Sequence, residues 1–219
     1  MQIQRELANN LKFTVLGRMP RLIAGVDSSF FKQGEQEFII TVIVVISFPD
    51  LELVEKKFLT NKVHFPYISG LLSFREGPAF IKTWKRLNHE PEVVMFDGQG
   101  IAHPRGIGFA SHMGLWIDRP TIGIAKSRLY GNEEATPSKK GEWHPIHHPT
   151  HPKKIGAIVS TRTDSKPLYI SPGNLITLED SIQLVLSCLT RYRLPEPTRL
   201  AHWLTQKVKQ DKKVSDPNS

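Results

Sequence analysis

Three β-rich runs follow one another near the start of the chain: Leu22–Phe31, Phe38–Phe48 and Leu51–Leu59. Only Gly34 with its polar neighbours and the Pro49-Asp50 pair separate them, and both are turn signals. Val, Ile and Phe at this density suit a pleated, half-buried surface, so the sequence predicts a three-stranded antiparallel meander. From Ser69 the apolar period lengthens. Leu71, Leu72 and Phe74, then Phe80, Ile81, Trp84 and Leu87, predict a helical hairpin interrupted near Gly77-Pro78, where proline removes a helix donor. Glu92–Phe96 then reads as a short strand, Gly108–Trp116 as a helix and Thr121–Ala125 as a further strand, an alternation that predicts α/β layering.

Beyond this point Gly131–Lys154 shows no periodicity and carries charges, prolines and four histidines, so an exposed excursion is expected. Ile155–Thr161 and Leu168–Ile170 read as strands, Leu178–Tyr192 as an amphipathic helix and Pro197–Val208 as a second helix opened by proline. Of the 219 residues, 1–208 are expected to form a single domain and 209–219 a disordered tail. The hydrophobic fraction of 39% suits a globular core, and no apolar stretch is long enough to span a bilayer. Met1–Asn10 lacks the apolar segment of a secretory signal, which predicts a cytoplasmic protein. Cys188 is the only cysteine, excludes an internal disulfide and lies in the apolar run Ile182–Leu189, as a structural thiol would. A net charge of +8 favours a polyanionic partner. Monomer is the default oligomeric state.

Chemistry concentrates at strand ends. Asp27 follows one apolar strand core and Asp97 follows another, Val93-Val94-Met95-Phe96. If the two strands are neighbours, their carboxylates meet at one edge of the sheet, where Glu76 could join them. Three such carboxylates repel one another, and a hard divalent cation with oxygen ligands relieves the repulsion. The same residues could instead be solvated strand ends, and spacing alone does not decide. Asp97-Gly98-Gln99-Gly100 begins a glycine-dense loop that allows close backbone approach to a ligand, yet it is neither a Walker loop nor a dinucleotide fingerprint. Lys126 ends a strand and His202 stands beside Trp203 on the last helix. His144, His147, His148 and His151 cluster as zinc ligands can, but Pro145, Pro149 and Pro152 interrupt any helix that would align them, so an exposed loop is expected.

A set of strings in fixed order then goes further than any single residue. Ala24-Gly25-Val26-Asp27, Pro66-Tyr67-Ile68, Phe74-Arg75-Glu76-Gly77-Pro78, Phe96-Asp97-Gly98-Gln99-Gly100, His103-Pro104-Arg105, Gly108-Phe109-Ala110-Ser111-His112 and Gly123-Ile124-Ala125-Lys126-Ser127 lead to Lys166–Gly173 and Arg199-Leu200-Ala201-His202. In these strings the chain resembles the endonuclease V family over roughly residues 20–207. The resemblance implies a ribonuclease-H-like fold, a mixed sheet flanked by helices. It implies metal binding by Asp27, Glu76 and Asp97, with Mg²⁺ expected and Mn²⁺ as a substitute, His202 helping to activate water and Lys126 stabilising phosphate charge. The implied substrate is DNA containing deoxyinosine or other deaminated bases, cut at the second phosphodiester 3′ to the lesion. The base would be held by Leu72, Gly98, Gly100, His103, Gly108, Gly123, Ala125 and Leu129, with Tyr67 as a wedge in the gap that it leaves. One departure is Pro-Tyr-Ile-Ser in place of the family's Pro-Tyr-Ile-Pro, so Ser69 gives up a φ restraint. Two alternatives stay open: an endonuclease for inosine-containing RNA, and a lesion-binding module without catalysis.

Overall fold

The computed structural model describes residues 1–214, with side chains described through Lys212. In chain order the elements are α1 (Gln2–Ala8), β1 (Leu22–Gln33), β2 (Gln36–Ser47), β3 (Leu53–Lys62), α2 (Leu72–Trp84), β4 (Val93–Asp97), α3 (Phe109–Ile117) and β5 (Thr121–Ala125). They continue with β6 (Asn132–Glu133), β7 (Trp143–His147), β8 (Lys154–Val159), β9 (Leu168–Asn174), α4 (Leu178–Ser187) and α5 (Glu196–Val214). The strands form one mixed sheet in the order β3-β2-β1-β4-β5-β9-β8-β7-β6. β1, β2 and β3 are the antiparallel meander that the sequence predicts, whereas β1, β4 and β5 run parallel to one another.

Strand periodicity of two assigns each face its helices. Ala24, Val26, Ile43, Val45, Val94 and Phe96 face α2 and α3, where Phe80, Phe109 and Met113 complete a core with edge-on aromatic contacts such as Phe80 on Phe96. The alternate residues Ile23, Ile46, Val93, Met95 and Ile122 pack on the other side with Ile182, Val185 and Cys188 of α4 and its end. Ile40, Val42 and Val44 on that side meet Ala201, Leu204 and Val208 of α5. Helices thus flank the sheet on both faces. Cys188 is fully buried, and burial followed by the nearby Glu196 charge pushes its thiol up to about 12, which suits an inert packing role.

Four local expectations are corrected. First, α2 is one helix, not an interrupted hairpin: Pro78 lies inside it, on the exposed side, while Glu76, Gly77, Ala79 and Phe80 are buried around it. Tertiary packing of that face outweighs the lost backbone hydrogen bond. Second, the segment expected to be an excursion supplies β6 and β7, which extend the sheet beyond β8. Pro145 sits within β7, and Ile146 beside it is buried against Ile155 and Ile101. Third, the amphipathic helix ends at Ser187 and not at Tyr192. Fourth, α5 continues past Val208 to Val214, because Lys and Gln in that stretch are good helix formers and no Gly or Pro stops them. The remainder of the expected tail, residues 215–219, lies outside the described residues. No helix among those described is long and apolar enough to cross a membrane.

Candidate active site

Asp27 lies one residue beyond Val26↔Phe96, the last registered pair of the parallel β1–β4 ladder, and Asp97 occupies the matching position on β4. Parity places both carboxylates on the α4–α5 face, with Ile23 and Met95. Helix α5 reaches this spot because β1 has no side chain at Gly25. A Cβ there would come within 2.1 Å of the Pro197 carbonyl carbon and oxygen, so the glycine lets the start of α5 lie directly on the strand. Further along α5, His202 Nδ1 comes to 3.3 Å from Asp27 Oδ2. One ligand atom from each of Asp27, Asp97 and His202 lies within 4.8 Å of the others, a group that could hold a metal ion.

Glu76 enters from α2 and is buried like Asp27. It stands outside that compact group, yet it feels the charge of both aspartates. Burial first, then the charges of Asp27 and Asp97, push Glu76 up to about 8 against the opposing influence of Arg75 and Ser28. Burial first, then Asp97, likewise push Asp27 up to about 6, opposed by Thr205 and His202. Two carboxyls held above their ordinary range by burial and by neighbouring aspartate charge would be relieved by a bound cation. Oxygen-rich donors of this kind fit a hard divalent ion.

Lys126 follows β5 on the same face and its Nζ lies 2.5 Å from Asp97 Oδ2. The family resemblance implies a place for it beside a phosphate, and in the structure it pairs with an aspartate that lines a cavity. That cavity, of about 320 Å³, is lined by Tyr67, Leu72, Gly98, His103, Gly108, Ala125 and Leu129 among the expected base-binding residues, with Asp97 and Lys126 at its border. Burial and then the positive Arg105 hold His103 down to about 4, so it enters the wall neutral at pH 7. Gly100 and Gly123 do not line the cavity. A Cβ on Gly100 would meet the Pro172 carbonyl oxygen at 2.2 Å and one on Gly123 the Gly100 nitrogen at 2.2 Å, so these two glycines let backbones stack behind the wall.

Several wall residues escaped the sequence reading. Gln99 donates from Nε2 to the Ser127 carbonyl at 3.0 Å and leaves its buried Oε1 without a hydrogen-bond partner. Phe109 and Arg128 also line the space. Gln99 stood inside a quoted motif, but nothing in the string told which way its amide would turn. Of the four clustered histidines, His144 lies near Glu142, His147 near Glu134 and His148 near the Tyr130 hydroxyl, while the His151 ring packs against that of His148.

Comparison with known proteins fits this arrangement. A family model described as Endonuclease V matches residues 5–203. The chain belongs to the endonuclease V family. Endonuclease V of Thermosipho melanesiensis is 47% identical over 209 residues, covering 95% of this chain and 89% of that protein. The crystal structure of the Bacillus subtilis family member superposes with a TM-score of 0.92 at 32% identity, covering 97% of this chain and 91% of that one. The fold shared with the Bacillus subtilis structure is ribonuclease-H-like, the mixed sheet between helical layers described above. A Ciona intestinalis family member, with a TM-score of 0.81, 26% identity and 96% coverage of each chain, was solved in complex with a 24mer DNA containing an inosine followed by a ribo-adenosine.

Proposed function

We propose that this protein is a divalent-metal-dependent DNA-repair endonuclease that recognises deoxyinosine and hydrolyses the second phosphodiester bond on its 3′ side, leaving 3′-hydroxyl and 5′-phosphate ends. The observation that carries this reading is the shared border: Asp97 belongs both to the Asp27–Asp97–His202 group and to the wall of a cavity able to take a base. The inosine-containing DNA bound by the Ciona relative supports the same substrate class.

Asp27 and Asp97, with Glu76 beside them, are the residues that would hold Mg²⁺, or Mn²⁺ in its place. Such an ion, when bound, lends positive charge to the phosphate and makes water more acidic. The chain's own groups do the rest. A deaminated base leaves the stack and enters the cavity, where Leu72, Phe109 and the glycine backbones exclude water from it. Tyr67, 73% exposed, occupies the gap by stacking. His202 is partly open to solvent and takes a proton from attacking water, with Asp27 orienting its imidazole. Lys126 leaves Asp97 for the phosphate and steadies the charge that develops there.

A nicking assay on an end-labelled duplex with one deoxyinosine, run with Mg²⁺ beside undamaged duplex and the Asp97→Ala protein, tests this reading. The expected product is a metal-dependent nick two bonds 3′ of the lesion, absent from both controls. Binding without any cut would overturn it. The ribo-adenosine in the relative's ligand favours one second reading, an endonuclease for inosine-containing RNA. A matched RNA strand in the same assay separates the two.

A further inference from the structure

The loop of residues 63–71 between β3 and α2 projects Tyr67 into solvent at the rim of the cavity, and it is clamped at both ends. At its start, the Phe65 carbonyl accepts from Arg75 Nη1 at 2.7 Å, and Arg75 is itself paired with Glu37 and stacked over Phe30. Near its end, Leu71 donates to the Ile68 carbonyl across a turn whose third residue is Gly70, at φ +77°. A positive φ at this position is what a type II turn requires. The Gly70 carbonyl accepts from Arg105 Nη2 at 2.5 Å and from Gln4 Nε2 at 3.0 Å, while Gln4 Oε1 accepts from Arg105 Nε at 2.6 Å. The three groups close a ring.

Gln4 belongs to α1, a seven-residue helix whose pattern of burial is inverted. Its one buried residue is this glutamine, 1% exposed, whereas Ile3 stands 58% exposed. A helix that buries an amide and leaves an isoleucine in water is docked by hydrogen bonds rather than by apolar packing. Its attachment point is the turn beside Tyr67. Ser69, where a proline would have restrained φ, sits between them, so stiffness that the local sequence lacks is supplied from a helix 66 residues away.

We propose that Gln4 is a positioning residue for Tyr67: through Gly70 and Arg105 it fixes the turn from which the wedge projects, and so governs opening of duplex substrate. The proposal rests on the deoxyinosine reading above. A single-stranded substrate has no stack to open and does not need the wedge held, which separates positioning from general damage to the fold.

Single-turnover cleavage of duplex and single-stranded deoxyinosine oligonucleotides is measured for the wild type, Gln4→Met, which keeps side-chain length without the hydrogen bonds, and Gln4→Glu, which keeps only the acceptor for Arg105. Gln4→Met is expected to slow duplex cleavage about tenfold, the scale of a lost charge-assisted hydrogen bond, and to change single-strand cleavage less than about twofold. Gln4→Glu falls between. In a Tyr67→Ala background the Gln4→Met change has no further effect on the duplex rate, since residues acting as one unit are non-additive. Partial unfolding lowers both substrates' rates alike, so the duplex-to-single-strand ratio reports positioning. An unchanged ratio in Gln4→Met, or full additivity with Tyr67→Ala, overturns the proposal. Failure of the wild type to cut either oligonucleotide would instead overturn the deoxyinosine reading itself.

Discussion

Glu76 and Asp27 make the metal-free protein sensitive to pH in an unusual direction. Their folded-state values, about 8 and about 6, lie above their ordinary 4.5 and 3.8. Above about pH 4 the unfolded chain has begun to release these protons while the native state retains them, so native stability falls as pH rises through 6 and 8. Melting of the metal-free protein is therefore expected at a lower temperature at pH 8 than at pH 5. Glu76→Gln should flatten that slope in the absence of metal, and added Mg²⁺ should restore wild-type stability most strongly at the alkaline end. A metal-free melting temperature that rises from pH 5 to pH 8 would contradict this account. Lys126 differs, since the role proposed for it lies in the reaction and not in stability. Lys126→Ala should lower kcat by about 10²–10³-fold, the usual cost of removing one charge-stabilising donor, with a smaller change in KM. Single-turnover kinetics on the deoxyinosine duplex measure both.

At the level of elements, the docking of α5 on β1 joins fold to chemistry. Gly25→Ala places a methyl group against the Pro197 backbone, which cannot yield as a flexible side chain would. Overpacking of this kind costs about 1–3 kcal/mol, and it should also slow cleavage by moving His202 away from Asp27. Chemical denaturation and single-turnover kinetics on the same variant read the two effects. The sequence disclosed much of this level, because β1 and β2 are dense in Val, Ile and Phe, and because Asp27 and Asp97 each end an apolar core at a readable parity. It did not disclose α1, whose burial rests on one glutamine and leaves no apolar period. Nor did it show α2 to be continuous, since a proline signals interruption unless the packed face around it is known. The pairings Lys126–Asp97 and Gln4–Gly70 depend on distant segments meeting, and the local strings hold no trace of them. Even the ordered motifs could not tell Gly98 and Gly108, which border the cavity, from Gly100 and Gly123, which only let backbones close behind it.

For the whole molecule, two kinds of contact with nucleic acid should separate by salt. The net charge of +8 acts on phosphates anywhere on a duplex, whereas much of the cavity wall is uncharged: Leu72, Phe109, glycines and a neutral His103. Raising salt from 50 to 200 mM should weaken binding to damaged and undamaged duplex alike, by about tenfold or more. Their ratio should stay within about twofold, because counterion release carries no base information. Anisotropy titrations in Ca²⁺, with catalysis suppressed, would show a falling ratio if base discrimination were electrostatic. The rims of the sheet have a separate consequence. One outermost strand, β6, is only two residues long, and the other, β3, carries Lys56, Lys57 and Lys62. Short or lysine-bearing margins give another chain little to zip onto. A sheet of nine strands could otherwise seed fibrils in concentrated solution, and this one ends where such growth would have to begin.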